Sequence, residues 1–186
     1  MAQLTKRQTT IVLLLLAASF IGYATYCYRF RIWAVAWHVL YGDSIAVSGY
    51  RIAVPSHWFV ERPASDDDAR MRNARTGESV WFHSFPKPPN FTLALWSDLV
   101  QKRMNDSNDS ESPIVGKREL DVAGERFVCF ERDFEKKAMK GIHLPSVECK
   151  SAGPLDVTLF GGMRKEPRRD YPEFYSLMAS VRKLPR

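Results

Sequence analysis

Four histidines and three cysteines are the residues here whose chemistry would be specific if they converged. His57 and His83 stand beside aromatic residues in HWF and WFHSF, and the Asp66, Asp67, Asp68 run lies between them. Imidazoles with nearby carboxylates are the raw material of a metal site or an acid/base pair. The ordinary expectation is plainer. In an extended strand Trp81 and His83 share one side, so His83 is expected on a partly solvated sheet face and the aspartates in a hydrated loop. No catalytic, metal or cofactor motif emerges, and no cofactor is expected.

Cys129 and Cys149 sit in consecutive strand-like runs, RFVCFERDF and PSVECKSA. Antiparallel pairing of those runs brings the two sulfurs within bridging range, which predicts a disulfide and an oxidising compartment. Two separate buried thiols are the alternative. Zinc is disfavoured, because there is no C-x-x-C pair and His143 would be only a third ligand. Cys27 lies inside an apolar run and reads as filler there.

Basic residues form the other candidate site. Gly161-Gly162 followed by Met163, Arg164 and Lys165 has the composition of an anion-cradling nest, although the expected reading is an ordinary hairpin-to-helix turn. Arg164, Lys165, Arg168 and Arg169, with Arg182 and Lys183 after the last apolar stripe, form the densest basic cluster, a candidate contact patch for lipid headgroups or an acidic partner. The formal charge of +6 is moderate, and the remaining Lys and Arg are interspersed with Asp and Glu, so nucleic acid is not an expected partner. Asn90, Asn105 and Asn108 begin N-x-S/T triplets, which carry meaning only in a eukaryotic secretory route.

What must position these residues begins with an anchor. Ile11 to Tyr28 is a run of 18 residues without a charge, bounded by Lys6 and Arg7 before it and Arg29 and Arg31 after it. As a helix it is about 27 Å long, close to the roughly 30 Å hydrocarbon thickness of a bilayer. Residues 1–10 are read as a short cytoplasmic tail, 11–28 as a transmembrane helix whose partner is the lipid bilayer, and 29–42 as a juxtamembrane segment. Phe30, Trp33, Trp37 and Leu40 recur in that segment at helical spacing, suited to the headgroup region. A cleaved signal peptide ending near Gly22-Tyr23-Ala24 is the competing reading. Basic residues flank both ends equally, so orientation follows from the bulk of the chain lying after the helix, as in a signal anchor that exports its C-terminal domain.

Residues 43–186 then read as one α+β domain. Strand-like runs Ser44 to Ser48, Tyr50 to Val54 and Trp58 to Glu61 come first, followed by Arg70 to Ala74 and Ser79 to Phe85 around Thr76-Gly77. Leu93, Trp96, Val100 and Met104 mark an amphipathic helix over residues 92–105. Ile114 to Val122 pairs with Arg126 to Phe134, and Val147 to Cys149 with Leu155 to Phe160. A last helix spans residues 171–181, with Phe174, Leu177, Met178 and Val181 on one face. The expected architecture is an antiparallel sheet with two helices packed on one side.

Two stretches, Tyr50-Arg51-Ile52-Ala53-Val54-Pro55 followed by Trp58, and Phe174-Tyr175-Ser176-Leu177-Met178-Ala179-Ser180-Val181, resemble the opening strand and terminal helix of the Mog1/PsbP-like fold group. That resemblance implies a binding or assembly protein, often membrane-associated or exported. It carries over no functional residue. The function expected is a non-enzymatic, membrane-anchored binding or assembly module of the cell envelope, with a protein partner there; the alternative is a membrane-anchored hydrolase or other enzyme. A deep pocket with convergent polar groups separates the two.

Overall fold

The computed structural model describes residues 6–61, 65, 67–106, 114–135, 141–168 and 170–185. A single helix, α1 (Lys6–Tyr41), runs without a break through the apolar segment and past Arg29 and Arg31. The strands that follow are β1 (Ser44–Val47), β2 (Tyr50–Ala53), β3 (Trp58–Val60), β4 (Asp68–Asn73) and β5 (Ser79–Ser84). Helix α2 (Leu93–Asp106) leads to β6 (Ile114–Val122), β7 (Glu125–Glu135), β8 (His143–Ser151) and β9 (Leu155–Phe160), and α3 (Pro172–Ala179) to β10 (Arg182–Lys183).

The class is α+β, and the strands form two antiparallel sheets. Seven strands lie in the order β3-β4-β5-β9-β8-β7-β6, and β1-β2-β10 make a second, smaller sheet. Sequence patterning missed β10, because two residues carry no periodicity. Helix α3 ends at Ala179, Ser180 donates its backbone N–H to Leu177 O at 3.0 Å, and the chain turns back so that Arg182 and Lys183 pair with Arg51 and Tyr50. Val181, assigned by its spacing to the helix, is instead fully buried at the turn.

Two tight turns set register. Ser48-Gly49 and Ala123-Gly124 each connect strands through two residues of positive φ, 53° and 80° in the first and 53° and 76° in the second. That is the backbone whose twist matches a two-residue hairpin, and glycine at its second place removes the Cβ conflict.

The two larger helices of the domain lie on opposite faces of the seven-stranded sheet, which corrects the expectation of one shared side. In β7, Phe127 and Cys129 join the core with Phe174, Leu177 and Met178 of α3. Their neighbours Val128 and Phe130 point the other way and pack under Trp96 and Val100 of α2, with the Trp96 and Phe130 rings 5.2 Å apart edge to face. Period-two alternation makes the cause visible: four consecutive apolar residues in one strand need cover on both faces.

Cys129 and Cys149 are directly opposed in the β7–β8 register and joined by a disulfide, with their Cα atoms 4.0 Å apart. The bridge closes a separation of 20 residues, worth about 3 kcal/mol in the chain-entropy account. Replacing both cysteines by alanine is expected to lower unfolding free energy by about that amount in a urea titration, with a steeper slope because the released chain unfolds to a more expanded state.

Candidate functional site at the helix and domain junction

Helix α1 is 36 residues long, about 54 Å. Thr10–Tyr41, 32 residues, is apolar enough throughout to cross a membrane, and no part of its most apolar stretch is buried against the domain. Only about 20 residues fit the hydrocarbon of a bilayer. A span of that length would leave about the last dozen residues of the helix outside it, and these are the residues the domain packs against.

One face of this segment is covered. Ala34 and Trp37 belong to the domain core at 2% and 8% exposure, and Phe30 stacks on Phe59 of β3 with centroids 6.0 Å apart. His38 completes the clasp. Its Nε2 faces the carbonyl oxygens of Pro55 and Trp58 at 3.0 and 3.1 Å, and its Nδ1 faces Asp43 Oδ1 at 2.8 Å. Because only carbonyls surround Nε2, that nitrogen carries a proton and donates it, tying the helix to the loop before β3. Trp33 and Leu40, which the sequence placed on the same stripe as Phe30 and Trp37, are 64% and 72% exposed. The spacing found a helical face, and the domain takes only its Phe30–Trp37 edge.

A groove runs along each flank of this contact. On one side Trp33, Ala36, Trp37, Leu40 and Tyr41 face Ile45 and Val60 across a mostly apolar space of about 460 Å³. On the other, Arg31 and Val35 face Ser56, His57 and Arg75 across about 440 Å³. Trp37→Ala is expected to remove about 3 kcal/mol of helix–domain contact, read as faster amide exchange in β3 while β7 and β8 stay protected.

The basic cluster is distributed differently from its appearance in sequence. Arg164 and Arg168 converge on Glu78, a carboxylate only 2% exposed, with Arg164 at 2.8 Å. Arg182 donates to the carbonyls of Ala179 and Val181 at 2.6 and 2.8 Å. Lys183 pairs with Glu125 at 2.8 Å, and Tyr50 donates its hydroxyl to the same carboxylate at 2.7 Å. Lys165 is exposed. Arg169 lies outside the described residues. Gly161 gives its N–H to Pro145 O at 2.7 Å, and a Cβ there would sit 2.5 Å from the Pro145 ring, so close strand packing accounts for this glycine.

The histidine and aspartate candidates do not meet. His57 Nε2 lies 3.2 Å from Glu173 Oε2, to which Asn73 also donates at 2.7 Å. His83 lies between the Trp81 and Phe85 rings, 4.7 and 4.9 Å away, and burial is the leading cause that lowers its pKa. Asp68 accepts from the Trp81 indole, Asp67 offers its carbonyl to Ser84, and Asp66 falls outside the described residues. Among the described residues no group of three or more His, Cys, Asp or Glu is placed to hold a metal ion.

A buried polar cluster that spacing did not reveal lies beneath α3. Glu131 and Asp133, 4% and 5% exposed on the core side of β7, meet Arg118 at 2.9 Å and His143 at 3.0 Å respectively. Tyr175 donates to Glu131 at 2.5 Å, and Tyr171 is fully buried beside them. Burial, followed by the Glu131 charge, pushes Tyr171 up to about 12, against an ordinary 10.0. A tyrosine with a raised native pKa binds its proton more tightly when folded, so its contribution is complete below pH 10 and is lost as pH rises toward 12. Unfolding free energy is expected to fall over that window, and Tyr171→Phe to flatten the fall.

Helix and site together define a class: an α+β domain clasped to the end of a helix long enough to cross a bilayer. The chain is similar in structure to the solution structure of cyanobacterial PsbP (CyanoP) from Synechocystis sp. PCC 6803, the fold group that the sequence resemblance named, with 15% identity and a TM-score of 0.47 over 73% of this chain and 87% of that one. No protein-family model and no curated protein matches.

Proposed function

We propose that this protein is a single-pass, membrane-anchored binding or assembly module of the cell envelope, with its C-terminal domain on the extracytoplasmic side. The observation that carries the reading is the clasp. Burial of Ala34 and Trp37 in the domain core makes the membrane helix and the folded domain one body, so the domain is held at a set height and angle over the bilayer. A surface that must meet a neighbour in the same membrane gains orientation from such a mounting. The Cys129–Cys149 bridge supports an oxidising compartment. The exposed loop around Lys165 is the surface offered to an acidic protein partner.

A compartment-sensitive reporter fused after residue 186 tests the topology. Activity of a periplasm- or lumen-dependent reporter is the expected result. Activity of a cytosol-dependent one removes both the envelope assignment and the need for the disulfide.

A further inference from the structure

The cationic groove between α1 and the domain is placed and charged for a ligand. Arg31 lies three residues past Tyr28, about 4.5 Å along the helix axis beyond the last uncharged residue. The headgroup layer occupies roughly the next 5–7 Å. Arg31 therefore stands at phosphate depth. Arg75 reaches the same cleft from the turn between β4 and β5, and that turn is prebuilt: Asn73 Oδ1 accepts the N–H groups of Arg75 and Thr76 at 2.8 and 3.1 Å. Ala74 donates its N–H to His57 O at 2.8 Å, which fixes the turn to the segment carrying Ser56 and His57.

Among the described residues neither Arg31 nor Arg75 has a carboxylate partner, and both are exposed. Glu173, which meets the cleft residue His57, also accepts from Asn73. This distinguishes the pair from Arg164 and Arg168, which share the buried carboxylate of Glu78. Two guanidiniums without a carboxylate partner, that of Arg31 lying 5.5 Å from the Tyr28 ring centroid, join a hydroxyl from Ser56 and the side chains of Ala34 and Val35 around about 440 Å³.

We propose that this cleft binds the phosphate of an anionic phospholipid in the leaflet through which α1 emerges. Guanidinium groups match phosphate oxygens in bidentate geometry. The inference depends on the anchored reading. It adds a ligand class and a consequence, because a lipid held between helix and domain fixes the height of the domain more firmly than the clasp alone.

The test uses the full chain in a neutral detergent, titrated with phosphatidylglycerol or phosphatidylcholine of the same acyl chains and read by native mass spectrometry as lipid retained per protein. One phosphatidylglycerol is expected to be retained with a preference of about thirty-fold over phosphatidylcholine, as two arginines at a membrane surface imply. Arg31→Gln with Arg75→Gln should bring the preference near unity, while Arg31→Lys with Arg75→Lys keeps only part of it, the charge without the bidentate fork, and Arg126→Gln, at the β6–β7 hairpin, keeps all of it. Equal retention of both lipids, or a preference that survives the double glutamine variant with its disulfide intact, overturns the proposal. Displacement by millimolar inorganic phosphate as effectively as by the lipid reassigns the cleft to free phosphate and overturns the lipid. Extraction of the chain from vesicles by carbonate would instead remove the anchored reading itself, so the two failures are separable.

Discussion

Trp58→Ala is expected to destabilise the domain by about 3–5 kcal/mol. The indole is 1% exposed and occupies the first position of β3, opposite Asn73. It lies where three structures meet. Its backbone N–H bonds Pro55 O at 2.8 Å, its carbonyl accepts from His38 of α1 at 3.1 Å, and its side chain fills the core between the two sheets. Losing the ring leaves a cavity that a strand edge pinned at both ends cannot collapse, and a domain of this size has only about 5–15 kcal/mol in total. Urea unfolding in neutral detergent, followed by near-ultraviolet circular dichroism, gives the number. Trp33→Ala, at a position 64% exposed, should change it by less than about 0.5 kcal/mol. Equal effects from the two tryptophans would mean that the clasp is wrongly placed.

Glu78→Ala should cost nearly as much, about 3–5 kcal/mol, for an electrostatic reason. Glu78 is 2% exposed in the turn between β4 and β5, and its carboxylate holds Arg164 and Arg168. Arg168 is itself only 12% exposed, so removing the acid strands a guanidinium that cannot easily return to water. Adding Arg168→Ala to Glu78→Ala should recover part of the loss, and a double-mutant cycle measures the coupling. Strict additivity of the two substitutions would show that the pair carries no interaction and that the loop from Gly161 to Asp170 is held by its backbone alone.

Sequence reading reached the elements that have a period or a punctuation mark. The uncharged run at Ile11, the stripe at Leu93, Trp96 and Val100, the glycine turns at residues 49 and 124, and the cysteine pairing all follow from local rules. The relations between elements were less accessible. That α2 and α3 lie on opposite faces was written in the unbroken Phe127-Val128-Cys129-Phe130, which demands cover on both sides, but an alternating reading of the strand hides it. Strand β10 has too few residues to signal anything. The site was the least legible part. Arg164 and Arg168 look like free charge until Glu78, some ninety positions earlier, is seen beneath them. Arg31 and Arg75 look like scattered surface residues until the clasp brings both to one cleft. His38, off the Phe30–Trp37 stripe by its spacing, carries no sequence signal for its role, which comes from the carbonyls of Pro55 and Trp58.

Residues 11 to 28 preferring hydrocarbon to water is the premise under the anchored mounting, the leaflet and the lipid cleft alike. Washing native membranes with sodium carbonate at high pH, followed by sequencing of the retained protein's N-terminus, tests it directly. The chain should stay with the membrane pellet and begin upstream of Ile11. Release into the supernatant, or a mature chain that starts after Ala24, would contradict the account.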